Sequence, residues 1–297
     1  MDDAVVIEAA ITPFRRGEPV LFVDDMVAQG LACLDAGAGI IHHHHDMRLG
    51  DAESIAEMIE VSRRIQATRP RALVYPDYLT GKDRSVWEEN GHLKPLAEAG
   101  ALTMFAFDPG ITAFATRGQE GHLTRTYLGG LRYSAAHELV EFSKLIGVPV
   151  SLGIFEPGHL RWAVEYATTT GFTPGTVIKL YFAGTHMVED PKVRTIGFGL
   201  PPTEAALEVC LSMIGDCELP WMVSVFGDPV LDSPIARAAL ERGGHLRVGI
   251  EDAAIDTGMG NADMVAAAAR LAEQVGRRVA APEEALAVLA GSRAAHR

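Results

Sequence analysis

A (β/α)8 barrel is the fold that this sequence predicts, on three observations. Eight short β-rich apolar runs alternate with amphipathic helical stretches along 297 residues, the pattern of a parallel sheet built from βα units. That length suits eight such units in one domain covering residues 1–297, and no low-complexity linker divides it. Neither GxGxxG nor a phosphate-binding GxxxxGK motif occurs, so the Gly-rich first turn of a doubly wound nucleotide-binding sheet is missing.

In chain order the predicted strands are 5–10, 39–44, 72–76, 102–107, 149–154, 176–181, 219–225 and 245–250. The predicted helices are 22–36, 52–68, 135–146, 158–170, 203–213, 233–241 and 261–275, each with apolar residues three and four apart. Ala36-Gly37, Gly100, Gly147 and Gly243-Gly244 end helices just before strands. The stretches 108–134 and 182–202 read as irregular. Both follow strands, so both belong to the catalytic face of such a barrel as lids or substrate walls.

Composition narrows the function. Hydrophobic residues make up 48% and charged residues 22%, enough to bury a large core. Asp and Glu number 39 against 26 Lys and Arg, a net charge of -13. With no long basic cluster, this argues against nucleic acid and anionic lipid as partners and leaves a small molecule. No apolar run approaches the roughly 18 residues needed to span a bilayer, and Asp2 and Asp3 stand where a signal peptide would carry positive charge. A cytoplasmic protein is expected, and a homo-oligomer. Cys33, Cys210 and Cys217 lack CxxC spacing and read as ordinary thiols.

The segment Ile40-Ile41-His42-His43-His44-His45-Asp46 is the most informative. Side chains at i and i+2 of a strand share a face, so His42 and His44 project together at the barrel mouth. Two imidazoles about 7 Å apart suit a divalent transition metal of the zinc class. A histidine-rich loop satisfied by hydrogen bonds is the bland alternative. His43 and His45 face the helical shell or the following loop. The eighth strand offers a third ligand: Arg247, Gly249 and Glu251 share a face, and only the first strand separates the eighth from the second in a closed barrel. Glu251 and Asp252 could instead be a solvated acid pair. An inward Arg247 needs a carboxylate partner or an anionic ligand.

Four segments carry a family resemblance: Ala9-Ala10-Ile11-Thr12; Asp35 through His44 with its HxH; Gly243-Gly244-His245-Leu246-Arg247-Val248-Gly249-Ile250-Glu251-Asp252; and Gly260-Asn261-Ala262 with Gly276-Arg277 and Ala281-Pro282-Glu283-Glu284-Ala285. In this order and at these separations they resemble the β-keto acid cleavage enzymes, typified by 3-keto-5-aminohexanoate cleavage enzyme. The resemblance implies a (β/α)8 barrel and zinc held by His42, His44 and Glu251. It implies a retro-Claisen exchange in which a β-keto acid and acetyl-CoA give acetoacetate and a new CoA thioester, assisted by Arg247 and Asp252. Metal and guanidinium would stabilise the oxyanion or enolate that develops as the carbon-carbon bond breaks.

The chain departs from the family pattern at Pro13-Phe14-Arg15, at Tyr75-Pro76-Asp77-Tyr78-Leu79-Thr80-Gly81, and at Gly153, which replaces an acid usual on the fifth strand while Glu156 lies nearby. Glu8 and Asp77 are new acids at the mouth, either general acid-base groups or structural hydrogen-bond acceptors. A CoA-independent hydrolase or aldolase using the same metal site, and a non-catalytic binding protein, remain open as alternatives.

Overall fold

The computed structural model describes residues 4–14, 20–79, 84–117, 122–186, 197–253 and 258–291. Arg15, Thr80, Gly81 and part of 182–202 lie outside the described residues. In chain order the elements are β1 (Ile7–Ile11), α1 (Val23–Asp35), β2 (Ile40–His43), α2 (Asp51–Thr68), β3 (Leu73–Pro76), α3 (Val86–Glu89), α4 (Leu93–Glu98) and β4 (Phe105–Phe107). There follow β5 (Thr112–Arg117), β6 (Leu123–Gly129), α5 (Tyr133–Ile146), β7 (Val150–Ile154), α6 (Pro157–Thr169), β8 (Val177–Ala183), α7 (Glu204–Ile214), β9 (Trp221–Phe226), α8 (Pro234–Glu241), β10 (His245–Val248), α9 (Asn261–Gln274) and α10 (Ala285–Gly291).

Eight strands form one sheet in the order β3-β2-β1-β10-β9-β8-β7-β4, and every pair in it is parallel. The remaining seam lies between β3 and β4. There the Thr103 hydroxyl accepts from Val74 N at 2.7 Å and donates to Val74 O at 2.9 Å, so a side chain bridges the gap that a ladder would close. The result is a nearly closed (β/α)8 barrel, as the alternation predicts.

Strand parity sorts the side chains into two cores. Ile41, Val74, Phe105, Phe107, Leu152, Ile178, Val223, Leu246 and Val248 face the helical shell. Val6, Ile40, Leu73, Tyr75, Met104, Val177 and Met222 fill the lumen, whose lower end is plugged by Ala280, Ala285 and Leu289. Burying an aliphatic side chain of this size contributes about 1.5–3 kcal/mol. Helix α2 shows how the shell is attached: Ser54, Met58, Val61, Ser62 and Ile65 form its buried stripe, and the Glu53 side chain accepts from Gly50 N at its start.

The stretch 108–134, of which 118–121 lie outside the described residues, holds two strands where the sequence predicts irregular structure. β5 and β6 pair antiparallel from Thr112↔Gly129 onward, a hairpin between β4 and α5. Its residues include Arg117, His122, Thr124, Arg125 and Thr126, so the apolar alternation that marks a half-buried strand is too sparse to read. The eighth barrel strand is also shorter than 245–250. It ends at Val248 because Gly249 has φ +151°, where a Cβ would collide with the Ala10 carbonyl. A turn follows instead, anchored by Ile250 N donating to Asn261 Oδ1 at 2.8 Å and by Gly227 N donating to Asp252 O at 2.9 Å.

Candidate functional site

β2 aligns with β1 so that His42 stands beside Ala10, and the turn after β10 carries Glu251 across β1 to meet it. His42 Nε2 lies 3.2 Å from Glu251 Oε2, and His44 Nε2 lies 3.2 Å from Glu251 Oε1. One ligand atom from each of the three residues falls within 4.8 Å of the others. Glu251 Oε2 is buried without a hydrogen-bond partner, although His42 is close. Two imidazole nitrogens and a carboxylate oxygen converging with an orphaned acceptor among them fit a zinc-class ion, whose usual four-coordination three protein ligands do not complete. His43 points to the shell, as parity predicts, where its Nε2 meets Ser62 Oγ at 3.1 Å.

The environment sets the protonation of this trio. Burial opposes a charge on His44, but Asp77 and Glu251 outweigh it and raise its pKa to about 9. Burial dominates at His42, which Arg247 also disfavours as a cation, and its pKa falls to about 4 despite Glu251. Burial would raise Glu251, yet Arg247, His42 and His44 hold it well below the ordinary carboxylate range. Asp77 Oδ2 sits 3.0 Å from His44 Nδ1, an ion-pair distance without hydrogen-bond alignment, on the side of the ring away from Glu251.

Arg247 is 0% exposed and binds three carboxylates. Nε donates to Asp252 Oδ2 at 2.7 Å, Nη1 to Glu8 Oε1 at 2.5 Å, and Nη2 to Glu251 Oε1 at 2.5 Å and Asp252 Oδ1 at 3.0 Å. Four of the five guanidinium donors are thereby used. The turn is what permits this. On a continued strand Glu251 and Asp252 would face opposite sides, whereas here both reach one guanidinium. Glu8, aligned with Arg247 across β1 and β10, also accepts from Tyr75 Oη at 2.8 Å and from Lys179 Nζ at 3.3 Å. Burial would raise Glu8, but Lys179 and Arg247 prevail and lower its pKa to about 2. Glu8 thus lies in the layer beneath the metal-binding trio, as a partner of cations.

Sequence reasoning missed Lys179, Tyr75, Ser224 and Asp108. Lys179 has a visible signal, a lone lysine at the inward parity of the apolar run Val177-Ile178-Lys179-Leu180. Its amine bonds Tyr75 Oη at 3.1 Å as well as Glu8, and burial pushes its pKa down. Ser224 donates to Asp252 Oδ2 at 2.6 Å. Asp108 follows β4, takes a 3.3 Å hydrogen bond from Tyr78 Oη, and is raised to about 6 by burial against the opposing pull of Lys179. Phe114 of the hairpin packs with Phe155, Phe198 and Phe226, and Phe155 stacks on Tyr181 at 4.4 Å. This aromatic wall stands beside the charged layer, with the Arg247 guanidinium 5.7 Å from the centre of the Tyr181 ring.

Comparison with known proteins agrees with this architecture. The fold is similar to the solved structure titled a ternary complex of ObcA with C4-CoA adduct and oxalate, with TM-score 0.64 and 13% identity over 91% of this chain and 66% of that one. It is similar to a binary complex of ObcA with oxaloacetate, with TM-score 0.59, 12% identity and the same coverage. This chain thus spans 66% of the length of ObcA. The 3-dehydroquinate dehydratase from Geobacillus kaustophilus HTA426 is also similar, with TM-score 0.53 and 10% identity over 92% of this chain and 93% of that one. These likenesses show the barrel. No curated protein sequence matches the chain. The family model of the beta-keto acid cleavage enzyme matches residues 5–290, a span that includes the histidine pair of β2, Arg247 and the turn bearing Glu251, and the chain therefore belongs to the β-keto acid cleavage enzyme family.

Proposed function

We propose that this protein is a metal-dependent enzyme that exchanges acyl groups between a small β-keto acid and acetyl-CoA, releasing acetoacetate and a new acyl-CoA. The observation that carries the reading is the convergence of His42, His44 and Glu251 directly above an Arg247 that grips Glu251 and Asp252 together. A zinc-class ion, when bound to these three residues, would supply Lewis-acid polarisation of the ketone and carboxylate oxygens of a β-keto acid. ObcA, similar in fold, has been solved with oxaloacetate and with a C4-CoA adduct, and these ligands support keto acid and CoA partners here.

The chain's own residues supply the rest. Arg247 fixes the Glu251 carboxylate and stays charged at any working pH. Its field favours negative charge that develops nearby as a carbon-carbon bond breaks. Asp77 lies at ion-pair distance behind His44 and its charge favours the imidazolium there. Glu8 and Lys179 keep Arg247 and Tyr75 in place. Asp252, clamped by Arg247 and Ser224, orients the attacking species. Phe114, Phe155 and Phe226 exclude water from the mouth, which strengthens each of these interactions.

The test is incubation of metal-loaded protein with a panel of β-keto acids and acetyl-CoA. Acetoacetate should form with at least one acid and only in the presence of acetyl-CoA. The His42→Ala/His44→Ala double variant should hold no metal and form none. Conversion of a substrate without CoA would instead identify a hydrolase or aldolase.

A further inference from the structure

The loops after β8 and β9 meet at the barrel mouth through two glycines. Gly184 N donates to Phe226 O at 2.9 Å, and a Cβ on Gly184 would lie 2.7 Å from Asp228 N. Gly227 has φ +112°, and a Cβ there would lie 2.1 Å from the His186 carbonyl oxygen. Only glycine lets the two backbones come this close. The approach brings together a histidine and an aspartate that the metal-binding trio does not use.

Thr185 anchors the aspartate. Thr185 N donates to Asp228 Oδ2 at 2.6 Å, and Thr185 Oγ1 to the same oxygen at 2.9 Å. Asp228 Oδ1 accepts from His186 Nδ1 at 2.5 Å. A carboxylate on Nδ1 fixes the tautomer and the ring, and it stabilises the imidazolium when Nε2 carries a proton. Nε2 is left without a hydrogen bond among the described residues. The two side chains are 19% and 23% exposed, at the C-terminal end of the strands, where a long co-substrate must enter. The pair is also joined to the charged layer: Gly227 N donates to Asp252 O at 2.9 Å, and Asp228 lines one cavity with Ser224, Arg247 and Asp252.

Acyl exchange has a need that this pair meets. A free thiol is mostly protonated at neutral pH, so the CoA sulfur sheds a proton to attack a ketone and regains one after it has left the acetyl group. An imidazole held by a carboxylate can serve both steps.

We propose that His186, oriented by Asp228, is the catalytic group that moves the proton of the CoA thiol. The inference rests on the function proposed above. In the first transfer, the tetrahedral adduct of the β-keto acid C2 with acetyl-CoA collapses. Its oxyanion pair reforms the carbonyl, the C–S bond breaks with the pair going to sulfur, and sulfur takes the proton of His186 Nε2. In the second, the thiol returns that proton to Nε2, a sulfur pair bonds to the ketone carbon, and the ketone π pair moves onto its oxygen. His186 ends each cycle as it began it, so no proton is consumed.

His186→Gln keeps a polar side chain of similar reach but cannot carry a proton back and forth. With acetyl-CoA its kcat should fall by about a hundredfold or more and KM for either substrate should stay within about threefold of wild type, with metal content and thermal unfolding unchanged. Two readouts separate proton transfer from a structural role. The acetyl thioester of an aromatic thiol has a thiolate stable enough to leave and return unprotonated, so with it the His186→Gln defect should shrink to about threefold or less. Added imidazole should raise the turnover of His186→Ala with acetyl-CoA by about tenfold or more. Either result supports the proton carrier. Neither of them, or a His186→Gln variant as fast as wild type with acetyl-CoA, would overturn it and leave the acyl exchange standing. Wild-type protein that forms no acetoacetate with any β-keto acid would overturn both.

Discussion

Arg247 Nη2 donates to Glu251 Oε1 at 2.5 Å, and the same oxygen faces His44 Nε2 at 3.2 Å. One carboxylate therefore joins the buried guanidinium to the histidine pair, and its other oxygen, Oε2, is left without a hydrogen bond. Charge on the metal-binding trio and charge on the arginine layer are mechanically linked through four residues of chain.

That link makes Arg247→Lys far from conservative. An ammonium is a point charge and cannot hold Glu8, Glu251 and Asp252 in one plane. Turnover should fall by about a hundredfold or more, the usual worth of one transition-state donor. Loss of a ligand-orienting partner should also weaken metal affinity by about tenfold to a hundredfold. Metal titration and steady-state kinetics on the purified variant check both, and occupancy should still reach completion at saturating metal.

Metal uptake should release one proton at neutral pH. In the metal-free site His44 is raised to about 9 and so is protonated at pH 7, while His42, lowered to about 4, is already neutral. Binding requires His44 neutral. Apparent affinity should therefore climb about tenfold per pH unit until pH passes about 9, and then level. Competition titrations between pH 7 and 10 measure the slope.

His43→Leu should keep the metal, because His43 faces Ser62 and not the mouth. It leaves the buried Ser62 hydroxyl without that partner, which costs about 1–3 kcal/mol at neutral pH. Burial lowers His43 from 6.5 to about 3, so on acidification the unfolded chain takes its proton first. Wild type loses stability through this group as pH falls from about 6.5 to about 3. The variant should lose less over that window. Denaturant unfolding at pH 7.5 and pH 5 gives the comparison.

Much of the barrel was legible because strand and helix periods differ. The eight strands, the shared face of His42 and His44, and the approach of Glu251 all follow from the period of two and the closure of a barrel. What parity could not yield is the turn after Val248. Gly249 ends the strand there, and Asp252 joins Glu251 on Arg247 where a strand would have turned it away. Asp77 was visible as an acid, but its place behind His44 depends on how β3 ends. The hairpin of β5 and β6 carries too few buried apolar positions to show alternation. Asp108 was hidden for a related reason: its strand has three residues, too few for parity to show, and its carboxylate lies over Gly153 of another strand.

Acyl exchange leaves an isotopic pattern that hydrolysis and decarboxylation do not. With metal-loaded protein, an unlabelled β-keto acid and acetyl-CoA carrying carbon-13 in both acetyl carbons, the acetoacetate formed should carry label at its methyl and ketone carbons and none at C2 or the carboxylate. The acyl-CoA released should be unlabelled in its acyl group. Label recovered as free acetate, or a β-keto acid consumed without labelled acetoacetate, would contradict acyl exchange at the His42, His44 and Glu251 site.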